Sequence, residues 1–164
     1  FPGGKGFPAV TFMFDTRDDN KAIAERLQSQ WKKVLGVDLA VQNEEWKVYL
    51  GRLRADAPGL FRHGWGADFP DPDNFMNMFT SYSGNNFTKW KNSAYDGIVE
   101  KAAAEASPGK RVKLYDQAQK MLMEEEVAIV PLFIDTINIL VAPKVKGLKI
   151  DSLGLLKIHQ VEIK

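Results

Sequence analysis

Residues 10–41 read VTFMFDTRDDNKAIAERLQSQWKKVLGVDLAV, and their hydrophobic period changes twice. Val10, Phe12 and Phe14 alternate, which places them on one face of a strand. After a polar turn over residues 15–20, Ile23, Leu27, Trp31 and Leu35 recur every four residues. That spacing predicts a helix running to about Leu35 and stopping at Gly36. Val37, Leu39 and Val41 alternate again as a second strand. A strand, a helix and a strand joined by short links form a βαβ unit, so the class is α/β.

Outward from that unit, Asn43 is placed to cap a short helix with Glu44 and Glu45 in its first turn and Trp46, Tyr49, Leu50 and Leu53 as its stripe. Residues 60–66 read as a third strand, and 68–73, broken by Pro70 and Pro72, as a loop. Asp73 or a neighbour starts a helix with Phe75, Met76 and Phe79, and residues 82–91 are loop again. Ser93 with Asp96 resembles a capping box before Tyr95, Ile98, Val99 and Ala102. Ser107-Pro108 opens a further helix carrying Val112, Tyr115, Ala118 and Leu122. The run at 127–134, VAIVPLFI, is apolar throughout and reads as a strand buried on both faces, with Pro131 unsuited to a central ladder position. Ile137, Ile139 and Val141 suggest another strand, and residues 145–164 hold short alternating runs without a core of their own. Residues 1–8, FPGGKGFP, have neither the basic nor the apolar region of a signal peptide and read as a loop or linker before the first strand.

Composition narrows the function. Twenty-two basic against 21 acidic residues leave a net charge of +1, which offers no footprint for nucleic acid or an anionic membrane. With no cysteine there is neither disulfide nor thiolate metal site, and the 2 histidines stand far apart. Asp68, Asp71 and Asp73 lack the spacing of a calcium loop and are interrupted by prolines. Phosphate-cradling glycine motifs and a nucleophile elbow are absent, and no general base has an identifiable nucleophile beside it, so an enzyme is the least supported class.

A binding site is better supported. Arg62, Trp65 and Asp68 fall at the carboxyl end of the third strand, an edge that ligands favour in α/β sheets. Asp68 can receive a ligand ammonium, Trp65 can supply a flat wall and a cation–π face, and Arg62 can meet a carboxylate with its fork. Local pattern alone allows other roles: an Asx-turn cap for Asp68, a surface ion pair for Arg62, and core packing for Trp65. Trp46 reads as core or as pocket wall.

Trp65-Gly66-Ala67-Asp68, Pro72, Asn74-Phe75, Asn85 and Tyr95-Asp96 together resemble the carboxyl-terminal half of the oligopeptide-binding proteins, the extracytoplasmic solute-binding components of peptide ABC importers. The opening Pro2-Gly3-Gly4-Lys5-Gly6-Phe7-Pro8, then Ile23-Ala24-Glu25, Gln30-Trp31-Lys32-Lys33, Leu35-Gly36, Glu45-Trp46-Lys47 and Ala128-Ile129-Val130-Pro131-Leu132 resemble the same family, so the likeness runs along essentially the whole chain. The resemblance implies a periplasmic-binding-protein-like lobe of the type II, dipeptide- and oligopeptide-binding kind, with a mixed sheet and flanking helices. It implies that residues 1–134 belong to the second lobe, and that 135–164 are a return segment completing a first lobe that lies mostly outside this chain. Asp68 matches an aspartate that pairs with the peptide amino terminus. Trp65, Gly66 and Ala67 match a segment lying along the peptide main chain. Arg62 matches an arginine that reaches the peptide carboxylate at some lengths, Trp46 a pocket tryptophan, and Asn85 a loop asparagine near the ligand. Two positions depart: Asn20 stands where a relative has histidine and Leu53 where it has arginine, with Arg52 and Arg54 alongside.

The expected function is binding of short peptides by backbone and termini for delivery to the membrane permease subunits of an ABC importer, with no cofactor and no nucleic-acid partner. The expected location is the periplasm, or a lipid anchor at the outer face of the cytoplasmic membrane in a Gram-positive organism. The alternatives are a solute-binding component for another ligand (dipeptide, murein peptide, nickel, haem, a sugar or an opine) and a structural or chaperone-like module.

Overall fold

In the computed structural model of the protein, residues 1–151 and 153–164 are described. They form two compact units, Phe1–Gly64 and Trp65–Lys164. The first holds β1 (Val10–Asp15), α1 (Asp18–Leu35), β2 (Leu39–Glu44), α2 (Trp46–Asp56) and β3 (Leu60–Phe61). Both neighbours of β1 are parallel to it, in the order β2-β1-β3, as two helical crossovers require. As the central strand, β1 is covered on both faces. Phe12 and Phe14 pack with Ala24 and Leu39, supported by Leu27 and Trp31, while Met13 on the opposite pleat is buried too.

α1 ends as expected: Gly36 is left-handed at φ 70, and its N–H and that of Val37 bond to the carbonyls of Lys32 and Trp31. A side chain at Gly36 would press into the Gly3 carbonyl, and one at Gly4 into the Gly36 carbonyl, so the first turn of the chain clasps the end of α1 backbone to backbone. α2 starts later than its pattern suggested. β2 keeps pairing through Asp15↔Glu44, which draws Asn43 into the sheet, and Glu45 becomes the cap, its carboxylate accepting from Lys47 N–H at 2.9 Å. β3 is also shorter than the expected 60–66, because its pairing with β1 is confined to Phe12↔Leu60 and Met13↔Phe61. Asn20 and Leu53, the two departures from the family pattern, are both fully buried, and Arg52 is held by Glu44 at 2.7 Å.

The second unit contains α3 (Asp73–Met76), α4 (Ser93–Ala104), α5 (Pro108–Lys120) and the short strands β4 (Val145–Lys146), β5 (Lys149–Ile150), β6 (Leu156–Lys157) and β7 (Glu162–Ile163). Its core joins Met76, Tyr95, Val99, Ala102, Tyr115, Ala118 and Leu122. Val112, expected on that face, is exposed. The cap of α4 is Asn92, whose side chain accepts from the N–H groups of Ala94 and Tyr95, while Asp96 accepts from Ser81 N–H instead of closing a box. A π turn at Met121–Glu125 follows α5, and Val127 then takes a left-handed φ of 49 that ends the helical run.

Beyond it the expected strands at 127–134 and 137–141 do not form. Ala128 and Ile129 pack on the core, but Val130, Phe133, Ile134, Ile137 and Leu140 are exposed. An apolar run is a strand only when sheet neighbours take its N–H and C=O groups; here Ala128 N–H bonds back to the Leu122 carbonyl, and no strand among the described residues pairs with the run. The tail forms strands as read, as two small antiparallel pairs, β4 with β7 and β5 with β6. Among the described residues no helix is long and apolar enough to cross a membrane.

Candidate functional site

On the second unit an open groove of about 380 Å³ runs between the loop before α3 and the loop after it. Trp65, Asp68, Phe69, Asp73, Tyr82 and Asn85 contribute to its walls. The Trp65 indole N–H donates to Asn74 Oδ1 at 2.8 Å, and Asn74 is itself buried in α3. One edge of the ring is thus fixed while 37 % of the residue stays exposed, so Trp65 is a pocket wall and not core.

Asp68 is exposed, and its carboxylate makes no hydrogen bond or ion pair to any other described residue. The turn-forming role open to it falls to Asp71, whose Oδ1 accepts from Asp73 N–H at 2.9 Å. Residues 65–68 also make no backbone hydrogen bond to other described residues, which leaves a short stretch of main chain free to pair. Asn85 stands on the far loop, its own N–H near Ser83 Oγ.

These loops are held by residues distant in sequence. Arg111 on α5 pairs with Asp71 at 2.9 Å, donates to the carbonyls of Ala102 and Ala103 at the end of α4, and lies over the Tyr115 ring at 5.1 Å. Tyr115 donates its hydroxyl to Asp73 at 2.9 Å. The Arg111 hydrogen bond holds the Asp71 carboxyl below its ordinary range, and burial, followed by the hydrogen bond to Asp73, pushes the Tyr115 hydroxyl up. On the other side Asn86 donates to the carbonyls of Phe79, Thr80 and Trp90, which closes the 80–90 loop around one buried amide. Neither Arg111 nor Asn86 stands out in the sequence, Tyr115 was read there only as part of a helix stripe, and Asn74 only through the family resemblance. The one signal was the pairing of Asp-Pro turns with buried polar residues that such irregular loops require.

Trp46 and Arg62 belong to the first unit. Trp46 opens α2 half-exposed, with its ring 6.4 Å from that of Tyr49. Arg62 follows β3, its N–H bonded to the Met13 carbonyl, and its own carbonyl accepts the Tyr49 hydroxyl. Burial raises that hydroxyl's pKa, reinforced by the Asp15 charge, and burial next to Arg62 lowers the pKa of His63. The groove therefore brings together Trp65, Asp68 and Asn85, with Gly66 and Ala67 on the connecting main chain, while Trp46 and Arg62 lie at the carboxyl side of the parallel sheet's unit. Chemically, the groove presents an anionic acceptor, aromatic walls and bare backbone. Among the described residues no three acids or histidines converge as a metal cluster.

Comparison with known proteins matches residues 2–87 to the sequence profile "Bacterial extracellular solute-binding proteins, family 5 Middle". The periplasmic murein peptide-binding protein MppA of Escherichia coli is 33 % identical over 87 % of this chain and 26 % of its own length. The oligopeptide-binding protein OppA of Bacillus subtilis is 31 % identical over 90 % of this chain and 27 % of its own. The crystal structure of Haemophilus influenzae OppA in complex with the peptide RPPGFSPFR superposes with a TM-score of 0.77 at 33 % identity, over 87 % of this chain and 28 % of that one. The chain thus spans about a quarter of the length of these relatives.

Proposed function

The chain belongs to the bacterial extracellular solute-binding proteins, family 5, and from that premise we propose that its groove holds the amino-terminal end of a short peptide. Its fold is that of a type II periplasmic peptide-binding protein lobe. The family is one of solute-binding proteins, and the proposed role is capture and handover, without catalysis, to the permease subunits of an ABC importer outside the cytoplasm.

The observation that carries the reading is the unpaired Asp68 carboxylate beside the exposed face of Trp65, at the end of a stretch whose main chain is free. An α-ammonium on Asp68 gains a charge-assisted hydrogen bond, and the following residues of the ligand add to 65–68 as a strand adds to a sheet edge. Such a grip reads termini and backbone, which every peptide shares, and waters fill what a small side chain leaves open. Residues 1–134 act as the second lobe, and 135–164 return to complete the first.

Titration of free and N-acetylated peptides of the same sequence, in wild type and Asp68→Asn, tests this. The free peptide binds better to wild type by about 1.5–3 kcal/mol, the range of a hydrogen bond to a charged group. That advantage disappears in Asp68→Asn. Equal affinity of wild type for the two peptides rejects the ammonium contact.

A further inference from the structure

The groove's binding groups are borne by loops, yet a binding site works only when such groups are held to within about 0.5 Å. What holds them can be traced. Asp68 joins Asp71 through Phe69 and Pro70, and the Asp71 N–H closes back on the Phe69 carbonyl at 2.9 Å. Proline fixes φ at positions 70 and 72, so this short link is stiff. Trp65 reaches the same segment from its other end, through the indole bond to Asn74 in α3. Both ligand-facing side chains therefore follow residues 71–74. That segment is fastened to α5 by Arg111 on Asp71 and by Tyr115 on Asp73. Arg111 holds more than its partner does. Its ion pair with Asp71 is only 24 % and 34 % exposed, its Nη1 donates to the Ala102 and Ala103 carbonyls at the end of α4, and its guanidinium lies over the Tyr115 ring. One side chain thus ties the loop to both helices, and it does so without lining the groove.

Resting on the peptide reading above, we propose that Arg111 is a positioning residue for peptide binding, which holds Asp68 and Trp65 in the arrangement that receives the peptide amino terminus. It touches no ligand itself. Without it the 68–74 segment samples other arrangements, and the apparent affinity falls with the fraction that remains in the binding one. Lysine replaces it only in part. An ammonium still pairs with Asp71, but it is a point charge and lacks the planar fork that meets a carboxylate, two carbonyls and a ring at once.

The test makes two measurements on the chain in wild type, Arg111→Gln, Arg111→Lys, Asp71→Asn and the double variant Asp71→Asn/Arg111→Gln. Hydrogen exchange at the Trp65 indole N–H, followed by nuclear magnetic resonance without ligand, reads the positioning itself. Titration with trialanine and N-acetyl-trialanine reads its consequence, as the preference for the free peptide. Arg111→Gln speeds indole exchange and cuts that preference about fivefold, within the range of coupling inside one hydrogen-bond network. Arg111→Lys shifts both in the same direction but less. Asp71→Asn keeps an acceptor for the Asp73 N–H, loses the ion pair, and also shifts both. The double variant is no worse than Arg111→Gln alone, because the two substitutions break one link. Variants that lose stability to urea but keep wild-type indole exchange and peptide preference make Arg111 a purely structural residue and overturn the proposal. Additive losses in the double variant overturn the route through Asp71. If wild type prefers the free peptide and the variants match it, only this role fails. If wild type binds neither peptide, the peptide reading fails and this role fails with it.

Discussion

Two runs of consecutive apolar residues in this chain meet opposite fates. Phe12-Met13-Phe14 is 3–4 % exposed, while in the run beginning at Val127 Ile134 reaches 95 %. Both lack charge, though the second run carries Pro131, which cannot donate to a ladder. The difference lies in what stands alongside: β1 has a parallel strand on each edge and helices close by in sequence, whereas 127–134 has no sheet neighbour among the described residues. Burial is a property of the surroundings that a run meets and not of the run itself.

Substitution breaks this contrast most sharply within the runs. Phe14→Ala costs about 3–5 kcal/mol in urea unfolding, as large-to-small changes at packed aromatics do. Ile134→Ala changes the same measurement by less than about 0.5 kcal/mol. Comparable losses at both positions would show that the second run is buried in solution. A smaller effect comes from Gly36→Ala. It forces a left-handed residue and a collision with the Gly3 carbonyl, and lowers stability by roughly 1–3 kcal/mol without affecting the second unit's groove.

The smallest concerns the irregular part of the second unit. Arg111 lowers the folded pKa of Asp71 below its unfolded value. The stabilisation is therefore fully present above about pH 4, the ordinary carboxylate range, and is lost as pH falls through the lower folded pKa. Wild type and Asp71→Asn, compared by urea unfolding from pH 7 to pH 2, should differ at neutral pH and converge in acid. A constant gap would exclude the ion pair as its source.

What could be read in advance follows the same division. The βαβ unit was legible because local period and tertiary burial agree in it, down to the stop at Gly36. Residues 60–66 and 127–141 were misread because alternation and apolarity report a tendency to pair but not the presence of a partner. In the groove, Trp65, Asp68 and Asn85 were legible through family resemblance and are found together on one unit. The residues that shape it were not. Arg111 lies 40 residues from Asp71 and Tyr115 lies 42 from Asp73, separations at which no periodicity operates.

The backbone clasp between the first turn and the end of α1 has an evolutionary corollary. The Gly36 carbonyl fills the space of Gly4's missing side chain and the Gly3 carbonyl that of Gly36's, so neither Gly4 nor Gly36 can drift while the turn stays put. Among natural variants of this chain, a bulkier residue at one site should arise only where the amino-terminal turn has been lost or re-routed. The pair thus serves as a two-letter marker for whether that turn has survived.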